Sequence, residues 1–350
     1  MPTSLKPKLL LPVLVLAALL AFPALAGATL SYVKNPFNGQ VFVAGDDGSG
    51  ARKLGPGRTP HVSPDGTAVA YLREGAKNAQ ELQLAPVAGG PTRTLMVGWR
   101  ESSTFAWSPD SKTIAVLRGP EIGERNLILI DVASGKQSFI ASGYFSGFSF
   151  SPDSAEIAYA RSGSEDFPPR SDVFRFPVPI PGVVNVRAPE PVRLTSDHRS
   201  SNPLWGPEKI VFVKTIEAGK RKYAPKNELY LMNPQGKGVK RLTKTKVPQL
   251  LQGLFPTEWS ADGSRLLAEF EGQDTSYAVL VNPKTGAQRP VAEQGENGFV
   301  GTALSADGKQ VLGFTGGFDP SGKHNVVSVP SSGGKAKVLV KNALEPDWSR

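Results

Sequence analysis

Three histidines, His61, His198 and His324, are the side chains best suited to move a proton at neutral pH. Their spacing builds neither His-x-His nor His-Glu-x-x-His, so no local zinc set is written here. No Gly-x-Ser-x-Gly elbow and no Gly-rich phosphate loop ending in Lys-Ser/Thr occurs. Cysteine is absent, which removes thiol nucleophiles, thiolate metal sites, disulfides and a lipidated N-terminal cysteine. The stretch AGDDGSGARK (44–53) lacks the alternating ligands and distant glutamate of a calcium loop and reads as a hairpin turn. No metal and no cofactor are expected. His61, Glu258 and Asp347 occupy one shared position of a repeat, so an acid–base or metal site assembled from distant segments is the catalytic alternative.

Binding chemistry is better represented than catalytic chemistry. Arg58, Trp99, Arg100, Tyr144, His198 and Arg199 fall in segments that connect the repeats, with Phe145, Lys244, Lys246 and Phe255 nearby. Guanidinium and aromatic groups gathered at one rim could grip an anionic or carbohydrate-like ligand or an acidic peptide. The plainer reading is solvated loop residues with incidental charge.

The elements that must position these residues recur along the chain. Serines of Ser-Pro-Asp-like turns stand at 63, 108, 151, 260 and 305, and Trp205-Gly206-Pro207-Glu208 is a degenerate copy. Intervals of 43 to 55 residues are those of propeller blades. Before each turn stands one large apolar residue: Val62, Trp107, Phe150, Trp205, Trp259, Leu304, Trp348. Four of the five tryptophans hold this slot, where packing between blades explains them better than sugar stacking. Proline presets the turn, the aspartate bonds the local backbone, and Gly66, Gly263 and Gly308 relieve its strain. Alternating strands follow, such as AVAYL (68–72) and ELQLA (81–85), then a Gly-bearing turn and a fourth strand opening near Arg93, Arg193, Arg241 or Arg289.

The two ends complement each other. PDWSR (346–350) supplies a first strand with nothing after it, whereas ATLSYVKN (28–35) supplies a second strand with nothing before it. Pairing them predicts an all-β propeller of seven four-stranded blades, closed by the C-terminal strand on the N-terminal strands. Six or eight blades follow if the degenerate copy misleads. The pattern resembles the TolB-type (WD40-like) propeller repeat, P-x-W-S-P-D-G followed by an I-A-Y-like strand. Pro203-Leu204-Trp205, Pro346-Asp347-Trp348-Ser349, Ser63-Pro64-Asp65-Gly66 and Val69-Ala70-Tyr71 carry the likeness over nearly all of residues 28–350. Strands are expected to begin almost at the leader, without the separate N-terminal domain of TolB or the hydrolase domain of prolyl-oligopeptidase-like enzymes.

Lys6 and Lys8, an apolar run over 9–22 and Ala24-Leu25-Ala26 predict a signal peptide over 1–26, cut after Ala26; an uncleaved anchor is the alternative. Residues 27–350 then form one propeller domain without a transmembrane segment, exported to the periplasm or beyond. The formal net charge of +9 falls to +7 without Lys6 and Lys8, which favours acidic proteins, anionic polymers or glycans of the cell envelope. Nucleic acid is a poor partner for an exported chain without long Lys/Arg runs. Two segments exceed the repeat, the proline-rich 161–195 and the basic loop 214–227. The expectation is a monomeric, non-catalytic binding or scaffold module working through the channel-mouth loops. A polysaccharide lyase or hydrolase in the same basin is the enzyme alternative, and a purely structural propeller is the third.

Overall fold

A computed structural model describes residues 28–35, 38–76, 79–98, 102–120, 123–164, 170–179, 189–216, 226–245, 251–272, 276–291, 298–316 and 323–349. The leader, Trp99, Arg100, Lys246 and the central parts of both long segments lie outside these residues. All described regular structure is β, and the strands sort into seven four-stranded sets.

Blade 1 joins Ala343–Trp348 to Thr29–Lys34, Gln40–Gly45 and Arg52–Pro56. Blade 2 runs Arg58–Val62, Ala68–Glu74, Gln80–Pro86, Arg93–Val97. Blade 3 holds Ser102–Trp107, Thr113–Gly119, Arg125–Asp131 and the first part of Gln137–Phe150. The second part of that strand opens blade 4, followed by Glu156–Ser162, Asp172–Pro177 and Val192–Arg193. Blade 5 is Ser200–Trp205, Ile210–Ile216, Lys226–Met232, Lys240–Arg241. Blade 6 is Leu251–Trp259, Leu266–Gly272, Ser276–Val281, Gln288–Pro290. Blade 7 is Phe299–Leu304, Gln310–Thr315, Asn325–Pro330, Lys337–Lys341.

The stretch SGYFSG (142–147), read from sequence as a connecting loop, is instead part of one 14-residue strand shared by blades 3 and 4. Gly143 and Gly147 take φ of 146° and 101°, and the register shifts between Phe145 and Phe148, so the chain turns without leaving the sheet.

Each blade is buried on both faces, and period-2 alternation does the sorting. In the second strand of blade 2, Val69 and Tyr71 pack toward blade 1 while Ala70 and Leu72 pack toward blade 3. The hydrophobic clusters among the described residues correspond to the seven junctions in this way. Burying each large side chain there contributes roughly 1.5–3 kcal/mol.

The Ser-Pro-Asp turns share one hydrogen-bond pattern. Ser63 Oγ donates to Asp65 Oδ1 at 2.6 Å and accepts from Ala68 N at 3.0 Å, while Asp65 Oδ1 accepts from Thr67 N at 3.0 Å. Ser108, Ser151, Ser260 and Ser305 repeat it with Asp110, Asp153, Asp262 and Asp307. These bonds favour the ionised carboxylates: hydrogen bonds from Ser260 and Ser264 push Asp262 down to about 2, and those from Lys309 N and Ser305 push Asp307 down to about 2. The next residue is left-handed in all five turns. Glycine takes it in three, but Ser111 and Ser154 take it at φ 61°. Their hydroxyls accept from Asp65 N at 3.1 Å and Asp110 N at 3.0 Å on the preceding blade, which offsets the strain.

Closure is a hydrogen-bonded ladder. Leu30 pairs with Trp348 and Lys34 with Ala343, and beyond it Thr29 N donates to Ser349 Oγ at 2.8 Å while Ser349 N donates to Thr29 O at 2.8 Å. Ser349→Ala orphans a buried N–H, so we expect a loss of about 1–3 kcal/mol in urea-induced unfolding; an unchanged midpoint would show that the clasp does not limit stability. The turn aspartates give a second expectation. The folded pKa values of Asp262 and Asp307 lie below the unfolded value of about 3.8, so the stability these two add is complete above that pH and is lost as pH falls toward about 2. Melting temperatures recorded from pH 5 to pH 2 should fall less steeply for Asp262→Asn/Asp307→Asn than for the unchanged chain, and parallel curves refute the assignment.

Candidate functional site

The fourth-to-first and second-to-third connections share one face of the ring, and the residues expected to bind a ligand divide unequally over it. Arg58 opens the first strand of blade 2 and its Nη1 lies 3.8 Å from Glu345 Oε1. Tyr144 sits half-buried within the shared strand, opposite Ser162. Arg199 is exposed after His198. Phe255 packs on the core of blades 5 and 6.

His198 lies off-axis, on blade 4. It takes φ 55°, with Nδ1 at 2.9 Å from Asp172 Oδ2 and its backbone N donating to Asp172 Oδ1 at 3.1 Å. Asp172 is 3% exposed and also accepts from Arg193 Nη2 at 2.5 Å and Thr195 Oγ1 at 3.1 Å. A pocket of about 370 Å³ adjoins this carboxylate, lined by Arg161, Arg170, Arg193, His198, Phe174 and Glu124 among others. Blade 5 repeats the arrangement without the histidine. Fully buried Glu228 accepts from Arg241 Nη2 at 3.0 Å, Thr243 Oγ1 at 2.5 Å and Thr245 N at 2.9 Å, with Lys226 Nζ at 2.9 Å. Arg193 and Arg241 are therefore clamps on buried acids. Arg52, Arg93 and Arg289, at comparable fourth-strand positions, donate instead to carbonyls of the next blade: Val87, Val132 and Ser331.

Sequence reasoning missed a column of cations. Lys34, Arg73, Arg118, Arg161 and Lys214 hold the same place, the mouth end of the second strand, in blades 1 to 5. Three of them lie over third-strand rings: Lys34 Nζ is 5.5 Å from the Phe42 centroid, the Arg161 guanidinium 5.4 Å from Phe174, and Lys214 Nζ 5.4 Å from Tyr230. The charged heads themselves lie over these rings. The residue following each apolar strand core carries the signal, and it is legible once the strands are aligned. Lys214 Nζ also reaches Asp197 Oδ2 at 2.6 Å. Burial pushes the Asp197 carboxyl up, but Lys214 and the Ser200 hydroxyl outweigh it and hold it below the usual carboxylate range.

The position preceding the apolar slot proves to be structural in three blades. Glu258 Oε2 accepts from Leu304 N at 2.5 Å, Asp347 Oδ2 from Val62 N at 2.8 Å, and Ser149 Oγ from Trp205 N at 2.8 Å, each across a blade junction. His61 and Asp347 do meet, with Nδ1 to Oδ2 at 3.6 Å, and His61 stands edge-on to Phe105. Glu258 holds the same position on blade 6. Among the described residues no group of three His, Asp or Glu side chains is placed to hold a metal ion, and no helix is long and apolar enough to cross a membrane.

Comparison of the sequence with protein-family models and with curated proteins finds no match. Comparison of the structure finds many propellers. TolB from Acinetobacter baumannii is 17% identical, over 94% of this chain and 68% of that one, at a TM-score of 0.52. The β-propeller domain of the Trilobed protease from Pyrococcus furiosus, described as having an open velcro topology, is 15% identical over 90% and 92% of the two chains at a TM-score of 0.66. An oligogalacturonate lyase solved with manganese is 14% identical over 90% and 85% at a TM-score of 0.57. At such identities the likeness concerns architecture: the chain is a β-propeller with the fold of the TolB-type proteins.

Proposed function

We propose that this chain is a non-catalytic binding module of the cell envelope, acting as a monomer without a cofactor. A leader over residues 1–26 exports it to the periplasm or beyond, and residues 27–350 receive an acidic protein or anionic glycan on the loop face. The observation that carries this reading is the cationic column Lys34, Arg73, Arg118, Arg161 and Lys214, reinforced on blade 4 by Arg170, Arg193 and His198 around one pocket. Five cations recur at one rim, two of them paired, Arg73 with Glu81 and Lys214 with Asp197. Convergent cations raise the local concentration of polyanions and speed their capture. The formal charge of +7 that remains without Lys6 and Lys8 acts in the same sense. The TolB fold supports a binding role, although the propeller also occurs in peptidases and lyases.

Column retention on immobilised poly-glutamate and polygalacturonate tests the reading. The chain should bind and elute with rising salt. Arg170→Glu/Arg199→Glu should elute at lower salt with an unchanged melting temperature; identical elution refutes the loop face. Release of unsaturated or reducing sugar ends from the polygalacturonate would overturn the non-catalytic assignment.

A further inference from the structure

At the opposite end of the first strands, near the Ser-Pro-Asp turns, lies a cavity of about 410 Å³ to which all seven blades contribute first-strand residues. Its chemistry is the reverse of the loop face. Trp107, Trp205, Trp259 and Trp348 line it together with the carboxylates Glu258 and Asp347. Among the described lining residues there is no lysine or arginine. The volume is that of a small-molecule site.

The indoles are not equivalent. Trp107 Nε1 donates to His61 O at 3.0 Å and Trp259 Nε1 to Leu204 O at 3.2 Å, so each ties its blade to the preceding one. Trp348 is 8% exposed, and its Nε1 is buried with no hydrogen-bond partner. That donor is closed off in the junction of blades 1 and 7, so Trp348 offers the cavity its ring and not its N–H. Indole faces are the strongest aromatic partners of cations, and they hold quaternary ammonium groups in cages of this composition. Two carboxylates beside them select for positive charge.

We propose that this cavity binds a small organic ammonium ion. Its charged head lies against the indoles and the Glu258 and Asp347 carboxylates. The assignment is independent of the loop-face reading, since it concerns the other end of the ring and the opposite charge.

The test is a tryptophan-fluorescence titration of the full chain with choline, beside its neutral isostere 3,3-dimethylbutan-1-ol. Both carry the hydroxyl, but only choline carries the charge. Saturable binding is expected, with choline at least about tenfold tighter than the alcohol. Glu258→Gln/Asp347→Asn keeps oxygen acceptors for Leu304 N and Val62 N, so its melting temperature should stay close to that of the unchanged chain. Its choline affinity should drop toward that of the alcohol, the indoles keeping part of the preference. Equal affinities for the two compounds in the unchanged chain would show an apolar cavity without cation selectivity and would overturn the proposal. So would the absence of any saturable choline signal. The isostere comparison needs no variant, and therefore decides the matter even if the double substitution fails to fold.

Discussion

The fold depends on the pairing of Ala343–Trp348 with Thr29–Lys34. A blade of this kind has two apolar faces and cannot rest with either exposed. Every interior blade solves this by having two neighbours, and an open ring would leave two faces bare. The antiparallel ladder at Leu30, Ser31, Val33 and Lys34 makes blade 1 from both ends of the described chain, and its cluster with blade 7 then buries Leu30, Tyr32, Leu312 and Trp348. Closure is thus a condition on which the hydrophobic energy of two junctions rests, and through them the alignment of the ring as a whole.

Between blades the apolar clusters give adhesion, and a small polar vocabulary fixes register. A side chain preceding the slot accepts a backbone N–H from the next blade at Ser149, Glu258 and Asp347. Where no such acceptor exists, an indole N–H reaches back to a carbonyl, as at Trp107 and Trp259. Arginines on the outer strands span to the next blade at Arg52, Arg93 and Arg289. Each device satisfies groups that burial would otherwise leave unpaired. They also distribute charge along the axis: carboxylates gather at the turn end of the first strands, and cations at the mouth end of the second.

The architecture was largely legible in the residues, because a turn such as Ser63–Thr67 contains its own hydrogen-bond acceptors and donors. Local chemistry determined local shape, and repetition did the rest. The complementary ends were legible for the same reason. The site was far less so. His198 was identified as a loop residue, but its placement beside Asp172 depends on a carboxylate twenty-six positions away in the chain. Arg161 and Lys214 stand in the sequence as the first residues of the two long segments, 161–195 and 214–227, whereas both lie in second strands; only superposing the blades shows them as a column. SGYFSG misled because glycine marks loops and also marks strands that must twist sharply. Trp99 and Arg100 lie outside the described residues.

The strand Gln137–Phe150 makes one connection of the ring unlike the others. Blades 3 and 4 are joined by an unbroken strand whose first part, Gln137 to Gly143, pairs within blade 3 and whose second part, Tyr144 to Phe150, pairs within blade 4; blades 5 and 6 touch through the bridge Asn227 to Gly253. The pocket holding Arg161, Arg170 and His198 also takes Ser142 and Gly143 from this shared strand. Part of its wall is thus strand backbone already held in a ladder, so a guest forfeits little entropy in shaping it.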